Sequence, residues 1–576
     1  MEGGRSMAAR RSPVVWAFAA LPLVAGIVEA LRSAWVCDDI FISFRYVDNL
    51  LHGEGLVYNA GERVEGFTHF LWVIVLAAVN RLGLDLVAAG RYLPIVSFVA
   101  VVVVLFRRSL RRGHAGWLGL PIAAWCVALH KDAQIYASSG LETSVFGLLL
   151  LLGLLVVTGP RQRVGQAAAL YALATLVRPE GVLYTAAAGL YIVWRWRGPR
   201  PAMLFAGVWL ALVAPVLVFR VLYYGDLLPN TYYAKSAGRS YWSQGWHYTR
   251  LYFTTYLVLL PSIVAIPCSW FLSFRRGPGS SSGPAMDASL LAGAQVMLTI
   301  LYVTRLGGDF MFARFFIPAT PLMYLVLEDV LRSTGRRWVE VGSAVILVGC
   351  TLYGRVPRDR TFAGRERTHG IVNEANYYTS DLVSELRRQG EILGASLRGT
   401  PARVGLLSGQ DAVAYFGRLS YALEPHGLTD VEIARMPLQG RGRPGHEKAA
   451  SLEHLLRRNI HFRLRYGWTV GLRLHEQIRF ADLYGEIILY DRQLMDSLKG
   501  RPGISFVDFP TFLDDYVGRI AEQNRRRLLD DYLHFQLFYF NHNHDPQRLA
   551  RLREALLQLG VPEDRLRDAD RLASTI

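Results

Sequence analysis

The sequence predicts a polytopic α-helical membrane protein that carries a mixed α/β domain at its C-terminal end. Three observations point there. More than half of the 576 residues are hydrophobic (52%) and only 19% are charged, an unusual balance for a soluble protein of this size. Long apolar runs recur over the first 353 residues. Beyond Tyr353 charged residues become frequent and apolar runs short.

Runs long enough to cross ~30 Å of hydrocarbon extend over Val14–Leu31, Glu142–Thr158, Ala202–Leu222, Leu251–Phe274, Ala288–Val303 and Trp338–Tyr353. Weaker or interrupted runs cover Phe67–Leu84, Val87–Phe106, Trp117–His130, Gly165–Val177, Gly181–Trp194 and Phe315–Leu327. Arg5, Arg10 and Arg11 precede the first run, which reads as an uncleaved span because it is long and "SAWVC" is a poor cleavage site. The positive-inside rule then places that basic start in the cytoplasm and Asp38 and Asp39 outside. The clusters Arg161–Arg163, Arg195–Arg200, Arg275–Arg276 and Arg332–Arg337 fall inside by the same rule. Arg107–Arg112 also wants to be inside, which needs a single crossing between Gly66 and Phe106 although that interval holds two runs. The expectation is about 11 spans, in the cytoplasmic membrane, with a loop at "GPGSSSGP" (Gly277–Pro284) on the inner side.

Residues 354–576 are expected to form a separate extracytoplasmic domain, long enough for its own core. Within it "ARVGLLSG" (Ala402–Gly409) reads as a buried strand entering a turn, and helical patterns cover Leu452–Arg458, Tyr516–Leu533 and Pro546–Leu559. "FNHNHD" (Phe540–Asp545) reads as a solvated polar loop more readily than as a metal site.

Composition excludes several functions. The net charge of +16 is explained by Arg between apolar runs, and no basic stripe with interleaved aromatics marks a nucleic-acid partner. Cys37, Cys126, Cys268 and Cys350 form no CxxC pair, so neither a disulfide frame nor a zinc site is indicated. No P-loop or Rossmann fingerprint is present.

A charge at the end of a span is costly unless it meets water, a partner or a substrate, so such residues are candidates for function. Here they gather on the outer side: Asp38, Asp39, Glu54, Glu65, Asp132, Glu142, Asp226 and Asp309, with Glu180 in "RPEG", and the cations Arg45, Lys131, Arg178, Lys235, Arg305 and Arg314. Carboxylates beside Lys and Arg at the rim of a bundle suit an anionic lipid-linked substrate. A carboxylate can take a proton from a hydroxyl while the cations hold phosphate. Adjacent confined aspartates raise one another's pKa, which favours a base in one of them. The plainer reading of "DD" is a helix cap just past a span, and Glu180 read plainly pairs with Arg178 at a helix break.

The run "DDIFISFRYVDNLLHGEGLVYNAGERVEGFTHFLW" resembles the first outer loop of the GT-C superfamily of polyprenyl-phosphate-dependent glycosyltransferases, in particular its actinobacterial terminal arabinofuranosyltransferase (AftB) branch. "GLETS" (Gly140–Ser144), "RPEG" (Arg178–Gly181), "LLPNTYYAKS" (Leu227–Ser236), "GGDFM" (Gly307–Met311), "HGLTDVEIAR" (His426–Arg435) and "GHEK" (Gly445–Lys448) extend the resemblance along most of the chain. It implies an inverting transferase that moves a sugar, arabinofuranose or else mannose or another hexose, from a polyprenyl-phosphate donor to a glycan or glycoconjugate acceptor. Asp38 or Asp39 then activates the acceptor hydroxyl, Asp309 is a second carboxylate at the sugar or acceptor, and Lys235, Arg314 and Arg178 hold the donor phosphate. Glu142, Glu180, Arg45 and Glu65 complete the candidate substrate-binding set. Beyond the lipid donor no cofactor is implied, and a divalent cation is left open. The rival of another class is a lipid-linked sugar transporter, against which stand the absence of a paired inverted repeat and the gathering of acids at one face instead of midplane. A noncatalytic scaffold is the third reading.

Overall fold

The computed structural model describes residues 13–111, 120–159, 163–196, 198–276, 284–353, 368–465 and 471–575. Arg5, Arg10, Arg11, Arg112, Arg161, most of the Gly277–Pro284 loop and the 353/354 junction therefore lie outside the described residues. Two units form, neither continuous in sequence. Unit 1 comprises residues 1–40, 67–380 and 438–447, and unit 2 comprises 41–66, 381–437 and 448–576.

Unit 1 is helical. Among the described residues, three of its helices, Leu86–Arg111, Pro199–Tyr224 and Met286–Leu306, are long and apolar enough to cross a membrane alone. In the interval where two apolar runs competed for one crossing, length separates them. Phe70–Arg81 has 12 residues and reaches about 18 Å, short of the ~30 Å core. Leu86–Arg111 has 26 and reaches about 39 Å. The Pro199–Tyr224 helix buries Phe205 and Val213 yet exposes Met203, Leu204, Leu210, Val218 and Leu222. An apolar helix with so little protein around it is solvated by lipid. It starts with Pro at its first turn and ends at Gly225, whose φ of 76° only glycine takes freely.

The run Leu251–Phe274, expected as one segment, is broken. Helices Trp242–Thr255 and Leu257–Phe271 meet at 93°. The break falls at Tyr256, whose ring stacks on His130 (centroids 3.9 Å apart) and whose hydroxyl donates to the Asp132 carboxylate. A pinned polar side chain in an apolar run gives the backbone a reason to turn there.

Elsewhere in unit 1 a buried ionic lattice joins helices Leu86–Arg111, Pro284–Leu306 and Thr320–Ser333. Arg108 donates from Nη1 to Asp329 Oδ1 (2.8 Å) and from Nη2 to Oδ2 (2.5 Å), and Ser289 Oγ donates to Asp329 (2.7 Å). Glu328 accepts from Ser109 Oγ (2.7 Å) and from the Ala123 amide (2.8 Å), with Arg332 at 3.2 Å. Both acids are buried, so these partners are what make their burial tolerable.

Unit 2 is mixed α/β. Its strands are β1 (Arg403–Gly405), β2 (Tyr421–Leu423), β3 (Phe462–Leu464), β4 (Gln477–Phe480), β5 (Leu483–Ile487) and β6 (Ile504–Phe506), ordered β2-β1-β3-β5-β4-β6. β1 runs parallel to β2 and β3, with Val404 opposite Ala422 and Phe462, while β5, β4 and β6 form an antiparallel meander. Tyr421, Leu423, Ile433, Leu455, Leu456, Ile460, Ile488 and Leu489 pack one core cluster. Helices are started by side-chain caps from Asp430, Ser451, Asp491, Asp508 and Asp545. The expected helix over Tyr516–Leu533 is interrupted. Phe509–Gly518 ends, 3-10 turns follow, Asn524 accepts from the Arg526 amide, and Leu528–Phe535 begins anew.

Residues 41–66 are sewn into unit 2. Arg45 donates to the carbonyls of Tyr58 (2.7 Å), Ala414 (3.1 Å) and Leu419 (2.7 Å) and to Asn59 Oδ1 (3.2 Å). Asn59 in turn pairs with both backbone groups of Ala422 (2.9 and 3.0 Å).

Candidate active site

The chain leaves its first helix through the irregular residues 34–37 and a turn at Asp38 and re-enters helix at Asp39. That corner is fixed from the Ile135–Gly140 loop. The Cys37 amide donates to the Ser139 carbonyl (3.0 Å) and the Trp35 indole to Ile135 (2.9 Å). Gly140 of the "GLETS" word sits at φ +88°, where a Cβ would stand 3.0 Å from Ile40. Only glycine lets the two segments meet so closely.

Asp39 faces a cluster of charge within unit 1. Arg178 Nη1 donates to Glu142 Oε1 (2.7 Å) and its Nε to Glu180 Oε1 (2.5 Å). His69 Nδ1 is 3.3 Å from Glu142 Oε2. Arg314 Nε lies 2.5 Å from Asp309 Oδ2. The Phe315 ring carries both guanidiniums, Arg178 at 5.2 Å and Arg314 at 5.4 Å from its centroid. Arg443 Nη2 donates to Glu374 (3.2 Å) and lies over the Phe310 ring at 4.6 Å.

The loop bearing Asp309 and Arg314 is held on several sides. Gly307 and Gly308 take φ of 99° and 70°, and a Cβ on Gly308 would stand 2.3 Å from Tyr248 Cγ. Tyr248 and Tyr136 donate their hydroxyls to the carbonyls of Met311 (3.0 Å) and Phe312 (2.7 Å). The Phe312 amide donates to Val372 O (2.9 Å) and the Val372 amide to Phe310 O (2.8 Å). Ala313 is held at φ 64°, in the left-handed region that non-glycine residues avoid. Such strain persists where surrounding structure over-determines it, as these bonds do.

Lys235 caps the short Asn230–Ala234 helix, with Ser236 at φ 48° beside it. Its aliphatic stem and the Phe310 ring both flank Gly445. Lys235, Arg178 and Arg314 all act electrostatically on His69. Asp39, Asp309 and Asp38 act on Glu374: burial first, then these three acids, push its carboxyl up to about 7 against the pull of Arg443. Burial opposes the charge on Arg314, but Asp309, Asp39 and Glu142 more than offset it and raise its pKa.

The pairing leaves an imbalance. Glu142 and Glu180 share Arg178, Asp309 has Arg314, and Glu374 has Arg443. Among the described residues the Asp39 carboxylate and the Lys235 ammonium enter no ion pair or hydrogen bond. An unpaired carboxylate can take a proton and an unpaired ammonium can hold an anion.

Of the residues singled out from sequence, Asp38, Asp39, Glu142, Arg178, Glu180, Lys235, Asp309 and Arg314 fall in unit 1, most of them in this cluster. Arg45 and Glu65 fall in unit 2, where both are buried and the Arg45 guanidinium is occupied by carbonyls and Asn59. Sequence reasoning missed His69, Glu374, Arg443 and Phe315. His69 lies inside the quoted run that ends "GFTHFLW" and Arg443 just before "GHEK", which is the only signal that pointed to them.

No family model matches the chain. The terminal β-(1→2)-arabinofuranosyltransferase of Corynebacterium glutamicum is 30% identical over 383 residues, 60% of this chain and 55% of that protein. The enzyme of the same name from Mycobacterium tuberculosis is 29% identical over 402 residues, 60% of this chain and 62% of that protein. The chain therefore spans less than two thirds of the length of these curated relatives. Among solved structures, ArnT from Cupriavidus metallidurans in the apo state superposes with a TM-score of 0.55 at 12% identity, covering 85% of this chain and 100% of that one. The same protein bound to undecaprenyl phosphate gives 0.49, at 12% identity over 72% of this chain and 86% of that one. The fold therefore resembles that of ArnT, and over 60% of its length the chain is similar in sequence to the two terminal arabinofuranosyltransferases.

Proposed function

We propose that this chain is an inverting glycosyltransferase that moves arabinofuranose from a polyprenyl-phosphate donor to a hydroxyl of a cell-envelope glycan at the outer face of the cytoplasmic membrane. The observation that carries the reading is the Asp39 carboxylate, which among the described residues enters no ion pair or hydrogen bond, beside Glu142, Glu180, Asp309 and Glu374, which each have a cation. In the reaction the acceptor oxygen attacks the anomeric carbon from the side opposite the phosphate. The bond from that carbon to the phosphate oxygen breaks, the hydroxyl proton passes to Asp39, and polyprenyl phosphate departs with the electron pair. Lys235, with no partner of its own, and Arg314 hold the charge that grows on the leaving phosphate. Arg178, fixed by Glu142 and Glu180, supports Phe315 and through it Arg314.

The same reading takes about 11 spans, with residues 1–353 as the membrane module and residues 354–576 outside. Its orientation rests on the positive-inside distribution of Arg, which puts the Asp39 end outside.

The test is transfer of radiolabelled arabinose from synthetic decaprenyl-phosphoryl arabinose to a short glycan acceptor, by the purified full chain. Asp39→Asn should lower kcat by roughly 10²–10⁴-fold with donor binding retained, and Lys235→Ala should raise the donor KM. Undiminished kcat in Asp39→Asn would refute the proton-transfer role. A wild type inactive with this donor but active with polyprenyl-phosphoryl mannose would overturn the sugar and keep the chemistry. A wild type that only moves the lipid across a vesicle bilayer would overturn the transferase reading.

A further inference from the structure

Unit 2 brings together three ligand-bearing side chains that the proposed transfer does not use. His475 and Glu476 close the Leu474–Glu476 turn that leads into β4, and His534 lies in the last turn of helix Leu528–Phe535. His475 Nε2 is 3.1 Å from His534 Nε2, and His534 Nε2 is 3.4 Å from Glu476 Oε1. All three ligand atoms lie within 4.8 Å of one another.

An imidazole–imidazole hydrogen bond accounts for one of these approaches but not for both. His534 Nε2 faces a second ring nitrogen and a carboxylate oxygen at once, and a single proton on that nitrogen points to only one of them. A cation among them satisfies all three. Ligands at about 2.0–2.1 Å from a tetrahedral zinc stand about 3.3–3.4 Å apart, close to the two spacings found here. The His475 and Glu476 ligand atoms likewise lie within 4.8 Å of each other.

The surroundings hold the donors in place. The His475 ring packs against Phe512, Phe509 and Phe538 with centroids 4.5, 5.3 and 5.4 Å away, and the His534 ring stacks on Phe538 at 5.2 Å. Glu476 Oε2 accepts from the Arg473 amide (2.7 Å), which leaves Oε1 toward His534. The Arg473 guanidinium is itself paired with Asp531 at 2.9 Å. His475 is buried, whereas Glu476 and His534 keep some exposure, so water can take a fourth position. Two imidazole nitrogens and one carboxylate oxygen suit zinc or another late first-row divalent ion and not magnesium or calcium, which take oxygen donors.

We infer that His475, Glu476 and His534 form a divalent transition-metal site, zinc by preference, that cross-links strand β4 to helix Leu528–Phe535 within unit 2. The trio spans a 59-residue separation between its two histidines, so an ion here ties the antiparallel end of the sheet to the C-terminal helices.

The full chain in detergent, stripped with a chelator and desalted, is titrated with zinc against a chromophoric competitor, and separately with cobalt while its visible spectrum is followed. The expected result is one zinc per chain, a cobalt spectrum of four-coordinate type, and a melting temperature that rises with zinc but not with magnesium or calcium. His475→Asn and His534→Asn should abolish the cobalt spectrum and the zinc-dependent rise. Glu476→Gln, at a partly exposed position, should weaken zinc at least about tenfold with the fold intact, and so tests the site even where a histidine variant fails to fold. No stoichiometric zinc in the wild type would overturn the inference, and so would zinc affinity unchanged in Glu476→Gln and in a folded histidine variant.

Discussion

The carboxyl of Glu374 offers a quantitative test of the charge cluster in unit 1. Buried, and faced by Asp39, Asp309 and Asp38 with only Arg443 in opposition, it titrates at about 7 in the folded protein and near 4.5 otherwise. The folded state thus binds this proton more tightly than the unfolded chain does. The stability it contributes is fully present below pH 4.5 and is lost as pH rises through 7, levelling off about one unit above. The difference corresponds to about 3 kcal/mol. Glu374→Gln keeps the size and an acceptor for Arg443 but carries no titrating proton, so the variant lacks this decline. Melting temperatures of wild type and variant, measured side by side in detergent from pH 4 to pH 8.5, should separate in the variant's favour as pH rises from 4.5 to 7, by a few degrees for a protein this large. The separation should then level off. Adding Asp39→Asn removes the foremost of the acids acting on Glu374 and should shift the window to lower pH. Parallel curves across that range, or a separation that grows only above pH 8, would refute the assignment of these acids to one cluster.

Two further substitutions probe what holds the site and the bundle. Gly308→Ala places a Cβ 2.3 Å from Tyr248 Cγ at a residue with φ 70°; a loss of at least about 2 kcal/mol in stability and a fall in transfer activity are expected, read by thermal unfolding and the sugar-transfer assay, and a neutral variant would contradict the tight packing of this loop. Asp329→Ala strands Arg108 in the interior and should cost about 3–5 kcal/mol, whereas Asp329→Asn, which keeps acceptors for Arg108 and Ser289, should cost less; equal losses measured by tryptophan fluorescence melts would show that charge, not hydrogen bonding, governs the lattice.

What could be read in the sequence was whatever is local. Apolar runs announced the helices of unit 1, because in lipid a backbone satisfies itself only within the segment, and Pro199–Tyr224 contains its run, Ala202–Leu222. The words "GLETS", "RPEG", "LLPNTYYAKS" and "GGDFM" pointed to residues that the fold gathers in unit 1, because a tight turn, a close approach or an ion pair each leaves a glycine or a charge at a fixed offset. What escaped was whatever depends on partners distant in sequence. The bend at Tyr256 needs Asp132 and His130, which no periodicity in the run reveals. Arg45 looked like an outward cation, but its guanidinium is taken up by carbonyls some 370 residues away in the chain. His475, Glu476 and His534 have no ligand spacing at all, whereas "FNHNHD", which has one, uses Asn543 to bind the backbone of Tyr490 and Tyr539.

With Asp39 as the base and polyprenyl phosphate as the leaving group, as proposed above, the arrangement of the cluster also explains why so many paired charges surround this carboxylate. A base that must release its proton after each turnover cannot sit in a strong ion pair, since a cation at 2.5–2.7 Å, as Arg178 and Arg314 stand from Glu142, Glu180 and Asp309, would hold it ionised and unreactive. Asp39 instead feels Arg314 without touching it, and faces Glu374, whose carboxyl is half-protonated near neutral pH and so does not add a full second negative charge. The guanidiniums, meanwhile, cannot swing toward a departing phosphate unless their own anchors are fixed. Tyr136, Tyr248 and Val372 fix the Asp309–Arg314 loop through its backbone. Donors locked in this way need no reorganisation when charge develops, and that is the condition under which electrostatic stabilisation of a leaving group is largest.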